Sequence, residues 1–294
     1  MPGRWNKVFL LLLIFSVWAW PADAQTPLPA LNAVAVDNSG SVVLFYPENW
    51  RYTPQANGFS VASSAITILV ETAVTSPLTF DEIPQWMQKN LGIPDASRFQ
   101  RKTYGEVTGW LAQGVFSGDV YTAVVVLPMS DRQQIVLRSD SRADNLSQDA
   151  PLITAILDKM ILLPTGFESL NLPVNWVLAE REDGVLLAPN ADNLQQSMRG
   201  ETPLLLAATL STINQTLDEL LSTEAPAEQR RFIVNGRPAM LQLRLNMATQ
   251  TPELFIAQDM GSSVLVLTAS AENGDNLVRF LPHLQAIFAS ATVN

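Results

Sequence analysis

Short apolar runs separated by turn residues dominate the chain and predict β-strands. Val42–Tyr46 is one such β-rich run. Two more follow, Trp50–Thr53 and Phe59–Ala62, and the Asn57-Gly58 dipeptide between them is the strongest short-range signal of a hairpin. Because hairpins join antiparallel strands, repeated signals of this kind predict a mostly antiparallel sheet.

Helical spacing of apolar residues appears between the predicted strands. Thr79 and Glu82 have the spacing of a capping box, and apolar residues follow at helical intervals, at Ile83, Trp86, Met87 and Leu91. A second helical stretch closes the unit near residues 150–162. An antiparallel sheet covered by helices defines the fold class α+β.

The same pattern occurs twice along the chain. Residues 47–62 and 173–188 share Pro, Asn, Trp, Gly and Ala at a constant offset of 126. Thr79–Ile83 then matches Thr216–Leu220 at an offset of 137, so the second copy has 11 extra residues between the two matches. Self-similarity at this period predicts two tandem domains and not a solenoid, whose repeats are about 20–50 residues long.

The repeat sets the predicted domain organisation. We expect two similar domains, each a mostly antiparallel sheet covered by helices, at residues 42–163 and 172–294. A Pro-, Asn- and Ser-rich stretch at 25–41 is predicted to be a flexible lead-in, and residues 164–171 a linker.

The N-terminus has the order of a cleavable secretory signal peptide. Arg4 and Lys7 precede the apolar run Val8–Trp20, and Ala22-Asp23-Ala24 supplies a small-residue cleavage site. We therefore predict a signal peptide at residues 1–24 and an exported protein, located in the periplasm, outside the cell or in an equivalent lumen. An uncleaved anchor is the alternative, although the run is shorter than the about 20 residues that a spanning helix needs.

Two segments resemble a known family of domains. An apolar strand that runs into Pro-x-x-Trp and then a glycine hairpin is carried by Tyr46–Trp50 with Gly58, and by Leu172–Trp176 with Gly184. Together with the helices, this order resembles the PsbP/Mog1-like domains. The resemblance implies an α/β/α sandwich in each domain and a function in binding, as in photosystem II lumenal subunits, a Ran-binding protein and bacterial exported proteins. Most members are single domains, so the tandem departs from the family and no partner or binding residue is transferred.

Composition narrows the function classes. The chain has 28 acidic and 18 basic residues, a net charge of −10, and no cysteine. An acidic surface disfavours nucleic acid and anionic lipid, and the lack of cysteine excludes disulfides and thiolate metal sites. The sequence has no glycine-rich phosphate loop, and we predict no cofactor.

Candidate catalytic and metal-binding residues have simpler structural explanations. His283 is the only histidine, and a Ser-His-Asp triad would have to use it. Paired carboxylates at Asp81-Glu82 and Asp218-Glu219 fall in the first turn of predicted helices, where acids cap and complement the helix dipole. Two acidic loops could supply oxygen ligands to calcium, at Asp140–Asp149 and Glu272–Asn276. Both lack the spacing of a calcium loop, and both precede a predicted helix. We therefore predict no catalytic and no metal-binding residue.

Tryptophan and asparagine residues are the candidates for binding. Trp50 and Trp176 match between the copies, as do Asn49 and Asn175 beside them. Matched positions of this kind favour a core plug and a turn residue over a binding site. Two other tryptophans, Trp86 and Trp110, have no matching tryptophan in the second copy. If they are exposed, they would mark an interaction surface.

These patterns favour a non-enzymatic binding or accessory protein that engages a protein or envelope partner through its domain surfaces. It would not bind nucleic acid or insert stably into a membrane after signal cleavage. The alternative is a carboxylate-dependent hydrolase that acts on envelope polymers in the groove between the domains. A third hypothesis is a structural protein in which the second copy only stabilises the first.

Overall fold

A computed structural model describes residues 27–94, 98–130, 132–163, 165–167, 170–182, 184–222, 228–246 and 249–291. The predicted signal peptide at 1–24 lies outside the described residues. Across the described ranges, no helix combines the length and the apolar character needed to cross a bilayer.

The strands dominate the fold. In chain order they are β1 (Ala33–Val36), β2 (Val42–Tyr46), β3 (Arg51–Gln55), β4 (Gly58–Ala62), β5 (Ile66–Val74), β6 (Phe99–Tyr104), β7 (Val107–Ser117), β8 (Val120–Pro128), β9 (Gln133–Arg142), β10 (Ile161–Leu162), β11 (Thr165–Phe167), β12 (Leu170–Leu172), β13 (Val177–Arg181), β14 (Gly184–Ala188), β15 (Ala207–Ile213), β16 (Glu228–Val234), β17 (Arg237–Leu245), β18 (Pro252–Asp259) and β19 (Val264–Ser270).

The α-helices are α1 (Ile83–Leu91), α2 (Leu146–Asp158), α3 (Ala191–Met198), α4 (Leu217–Ser222) and α5 (Gly274–Ser290). Short 3-10 turns precede α1 and α2, at Phe80–Glu82 and Ala143–Asn145.

The strands form two large sheets with the same internal order. The first sheet runs β3-β4-β5-β9-β8-β7-β6. The second contains the series β13-β14-β15-β19-β18-β17-β16 and is extended beyond β16 by β1, β2 and β10. Strand pairs are antiparallel throughout the described ladders except for β1 with β16, so the predicted antiparallel character holds. The 11 extra residues of the second copy fall in the segment that contains α3.

Helices pack on both faces of each sheet. In the first sheet, α2 contributes Ile153 and Ile156 to one core, and α1 contributes Ile83 and Met87 to a core on the opposite face. In the second sheet, α5 packs on one face, and α4 lies against Phe255 and its neighbours on the other. The structure is therefore α+β, as the sequence predicts, because each sheet buries its apolar residues beneath helices.

The β1–β2 hairpin departs from the predicted organisation. The sequence assigned residues 33–36 to a flexible lead-in and Val42–Tyr46 to the first domain, but both strands belong to the second sheet and are buried. Ile233 N–H donates to the Asn32 carbonyl at 3.3 Å, and Asn235 N–H donates to the Val34 carbonyl at 2.9 Å. The reason for the difference is that pairing with β16, far away in the sequence, orders a segment too short to stand out locally.

Both faces of this hairpin are buried, each in a different core. One face of the hairpin packs into the core under α5 and carries Val34, Val36, Val43 and Phe45. The other face packs into the core under α2 and carries Ala33, Ala35, Val42, Leu44 and Tyr46. Side chains of successive strand residues point to opposite faces, so one hairpin serves two cores.

A buried aspartate closes the hairpin turn. Asp37 Oδ1 accepts hydrogen bonds from the Ser41 and Val42 amides at 2.8 and 2.7 Å, and Oδ2 accepts from the Ser39 amide at 3.2 Å. Asn171 Nδ2 donates to the Ser39 carbonyl at 2.5 Å, which ties the turn to β12. These bonds satisfy backbone groups that would otherwise be buried without partners.

The shared hairpin predicts that the second unit does not fold well alone. Residues 165–294 lack Val34, Val36, Val43 and Phe45, whose burial is worth roughly 6–12 kcal/mol at about 1.5–3 kcal/mol each. That is comparable with the whole stability of a domain. We expect this fragment to show no cooperative urea transition, and residues 27–46 joined by a flexible linker to 161–294 to regain one. A fragment 165–294 with the melting temperature of the full chain would contradict this.

Candidate functional site

The matched tryptophans lie at equivalent tight turns and plug the ends of the cores. The Trp50 amide donates to the Pro47 carbonyl at 3.0 Å, and the Trp176 amide donates to the Pro173 carbonyl at 3.2 Å. Their exposed fractions are 8% and 7%, so both rings are largely enclosed by the protein. The structural interpretation of this pair therefore fits the structure better than a binding role.

The neighbouring asparagines lie outside these cores. Asn49 and Asn175 are both exposed, and Asn175 adopts a φ of 68°, a left-handed conformation that asparagine tolerates better than most residues. The expected turn-holding hydrogen bonds from these two side chains do not occur among the described residues. The backbone conformation of Asn175, and not a side-chain bond, accounts for the residue type at that position.

Trp110 fastens the start of α1 to the first sheet. Its ring stacks on Phe80 with a centroid distance of 5.3 Å, and its Nε1–H donates to the Phe80 carbonyl at 2.9 Å. The Arg101 guanidinium lies over both rings and pairs with Asp81 at 2.7 Å. These contacts use the ring within the protein, so Trp110 is a structural residue and not a free surface.

The paired carboxylates act as predicted helix caps. Glu82 Oε2 accepts from the Thr79 amide and hydroxyl at 2.8 Å each, and Glu219 Oε2 accepts from the Thr216 amide at 2.9 Å. Hydrogen bonds from the Thr79 amide and then its hydroxyl lower the pKa of Glu82, and those of Thr216 lower the pKa of Glu219 in the same way. The capping boxes are confirmed, and both glutamates are held in their ionised form.

Trp86 lies at the edge of an open groove, which we call the α1 groove. Among the described residues, its lining mixes five apolar residues with seven polar ones: Val74, Leu78, Trp86, Ile93 and Pro94, with Thr75, Ser76, Glu82, Gln85, Gln88, Lys89 and Asn90. Its volume is about 990 Å³. Trp86 is half-buried and Val74 is 84% exposed, so the groove presents apolar surface to solvent.

The equivalent place in the second unit differs in size and chemistry. The depression beside α4 has a volume of about 230 Å³ and is lined by Asn214, Gln215, Thr216, Glu219, Asp259, Gly261 and Ser262. All of these residues are polar or glycine. Among the described residues, Leu78 of the first unit corresponds to Gln215 of the second at the offset of 137 between the copies, so an apolar residue at this lining position is not a requirement of the shared strand order.

A second cavity, which we call the junction cavity, lies between the two units. It has a volume of about 450 Å³ and is lined by Gly105–Val107, Met160–Leu162, Pro173, Val174, Trp176 and His283. The His283 ring stacks on Trp176 at a centroid distance of 6.3 Å, and its buried Nδ1 has no hydrogen-bond partner among the described residues. Burial lowers the pKa of His283, because a buried imidazolium loses its hydration.

The remaining acidic candidates do not converge on a metal site. Asp140 Oδ1 accepts from the Thr122 hydroxyl at 2.7 Å, and Oδ2 accepts from Arg138 Nε at 2.8 Å. Asn273 caps α5 by accepting from the Asn276 amide at 3.0 Å. In the described part of the chain, no group of three or more His, Asp or Glu side chains is placed to hold a metal ion.

Val74 and Leu78 are groove residues that the sequence did not single out. Apolar residues at the end of a strand suggest a core position. The only sequence signal for a groove position was the difference between the two copies of the repeat. The corresponding loop of the second copy is polar at Asn214 and Gln215.

Comparisons with known proteins give weak similarities. No protein-family model matches the sequence, and no curated protein is significantly similar to it. The solution structure of cyanobacterial PsbP (CyanoP) from Synechocystis sp. PCC 6803 is 10% identical, with a TM-score of 0.36, over 48% of this chain and 99% of that chain.

Two other solved structures are similar at the same level or below it. A crystal structure from Bacteroides thetaiotaomicron VPI-5482 is 9% identical, with a TM-score of 0.35, over 58% of each chain. The apo structure of the T6SS immunity protein TplEi from Pseudomonas aeruginosa is 10% identical, with a TM-score of 0.22, over 82% of this chain and 96% of that chain.

The buried histidine predicts a pH dependence of stability. Because the folded-state pKa of His283 lies below its unfolded value of about 6.5, the unfolded chain binds the proton more tightly. This contribution to stability is full above about pH 6.5 and is lost as the pH falls below it. We expect wild type to lose more stability than His283→Gln between about pH 7.5 and pH 5, measured by urea midpoints. An equal loss in both proteins would contradict the burial of His283.

Proposed function

We propose that the chain is an exported, non-enzymatic binding protein made of two PsbP/Mog1-like α/β/α domains. In this proposal it engages a protein partner through the α1 groove of its first unit. It carries no cofactor and does not bind nucleic acid.

The contrast between the two matched grooves carries the proposal. A ring at Trp86 and an exposed aliphatic side chain at Val74 supply contact area, and neighbouring Gln85 and Lys89 supply polar groups at the rim. Protein interfaces have this composition, with aromatic anchors surrounded by polar residues. The groove is open and broad, which suits a protein surface better than a small molecule that must be enclosed.

The hydrolase alternative has less support. Hydrolysis of glycosidic bonds by paired acids needs two carboxylates about 5–10 Å apart. Among the described residues that line the junction cavity, Glu106 supplies the one carboxylate. The acid pairs Asp81-Glu82 and Asp218-Glu219 lie instead at helix starts.

Substitutions in the groove test the proposed function. Trp86→Ala and Val74→Ser should each reduce capture of the partner by the tagged chain from an extract of the source cells, about tenfold or more for Trp86 as an anchor residue. Quantitative mass spectrometry of captured proteins is the measurement. Val278→Ser is the matched control, because Val278 is an exposed apolar residue on α5, away from the groove.

Val74→Ser separates binding from folding, since a side chain exposed to this degree contributes little to stability. Unchanged capture by both groove variants would overturn the proposal, as would equal loss in the Val278→Ser control.

Export predicts a processed N-terminus. If residues 1–24 are a signal peptide, the protein recovered from the compartment outside the cytoplasm begins at Gln25. N-terminal sequencing of the protein purified from its own cells is the measurement. A chain that retains Met1 and stays with the membrane fraction would favour the anchor alternative.

A further inference from the structure

The edge of the first sheet at β6 is open where its counterpart in the second sheet is covered. The two sheets share their strand order, and β6 and β16 occupy equivalent terminal positions in it. β1 pairs with β16 in parallel, with Ala33 opposite Ile233 and Val34 opposite Val234. No strand pairs with the outer edge of β6 among the described residues.

The hairpin registers identify the equivalent backbone groups. Tyr104 pairs with Val107 next to a two-residue turn, as Val234 pairs with Arg237. Thr103 therefore corresponds to Ile233, and Gly105 to Asn235. The Ile233 and Asn235 amides donate to β1, at 3.3 and 2.9 Å. The Thr103 and Gly105 amides have no hydrogen-bond partner in the part of the chain that the structure describes.

The charged side chains of β6 do not extend past the outer edge of the strand. Arg101 lies flat over Phe80 and Trp110 and pairs with Asp81, while Lys102 lies over Tyr104 and pairs with Asp158. Charged side chains that extend past an edge normally prevent strand addition. Here both charged side chains are held against the faces of the sheet by these contacts. The strand at the opposite edge of the sheet, β3, carries Pro54.

The space at the end of β6 is also open. A Cβ added at Gly105 would meet no atom within 4 Å. The β6–β7 turn faces the junction cavity, to which Met160 contributes. A parallel strand beside β6 would therefore point its C-terminal end into this cavity, as β1 points its own toward the Asn235 turn.

We infer that the β6 edge binds an extended segment of a partner protein, added in parallel as an eighth strand. The segment would resemble β1, whose sequence is Ala-Val-Ala-Val. Apolar residues of one row would lie against Tyr104 and Met160, and small residues of the other row would pass Arg101 and Thr103. Backbone hydrogen bonds supply the affinity in this mode of recognition, and the alternate side chains supply the specificity.

Disulfide cross-linking tests this inference, because the chain has no native cysteine. The protein probe is the chain from residue 25 with Thr103→Cys at an exposed position of β6. The peptide probe is a synthetic copy of residues 31–37 with Ala33→Cys, since Ala33 lies opposite Ile233, the counterpart of Thr103. The matched control protein carries Glu180→Cys, an exposed position on the open edge strand β13.

We expect the Thr103→Cys protein to form the mixed disulfide at least about tenfold faster than the Glu180→Cys protein. A peptide that also carries Val34→Pro should lose this advantage, because proline removes an N–H from the added ladder. Equal rates for the two proteins, or no effect of the proline, would overturn the inference. Faster formation of a Thr103→Cys homodimer than of the peptide adduct would overturn it in favour of a second copy of this chain.

The outcome is independent of the α1 groove. Adding Trp86→Ala to the Thr103→Cys protein should leave the cross-linking rate unchanged, so failure of one surface is distinguishable from failure of the other. Thermal unfolding of each cysteine variant confirms that the fold is retained.

Discussion

The parallel pairing of β1 with β16 is the interaction on which the rest of the structure depends. It places a hairpin from the start of the described chain at the edge of a sheet built mostly from the second half. Because both faces of the hairpin are buried, its alternate side chains belong to two cores at once. Polar side chains complete this arrangement: Asp37 binds the turn amides, and Asn235 Oδ1 accepts from the Val36 amide at 2.9 Å. The two units are therefore joined by shared burial and not by a linker alone.

This sharing makes two similar units different in their surfaces. In the second unit β1 covers the β16 edge, whereas no described strand pairs with the outer edge of β6 in the first unit. The first unit has a groove beside α1 whose mixed lining includes Trp86, Val74 and Leu78, whereas the described lining of the smaller depression beside α4 is polar or glycine. Since the strand order is the same in both, these differences are not demanded by the fold.

Local chemistry made much of the fold predictable. The β3–β4 hairpin, the capping boxes at Thr79 and Thr216, and the paired Pro-x-x-Trp turns each depend on residues close in sequence, although the hairpin turn is Ala56-Asn57, one residue before the predicted Asn57-Gly58. The transfer of β1 and β2 to the second sheet was not predictable, because strand pairing across about 200 residues leaves no mark in a local pattern. At the candidate site, Trp86 stood out as an unmatched tryptophan. Val74 did not, since an apolar residue at a strand end is normally taken as core.

The two units also differ at the junction cavity, where the first unit lies next to an energetically unfavourable feature. The β16–β17 turn packs closely on Tyr52, but the β6–β7 turn faces Trp176 and His283 across about 450 Å³. The buried Nδ1 of His283 lacks a partner in the described structure, and an unpaired buried polar group lowers stability. In the second unit, β1 pairs with β16 along the edge that corresponds to the β6 edge of the first unit. In the proposed complex, an added strand would cover the β6 edge and bring its C-terminal end to this cavity, so one occupant would contact both surfaces.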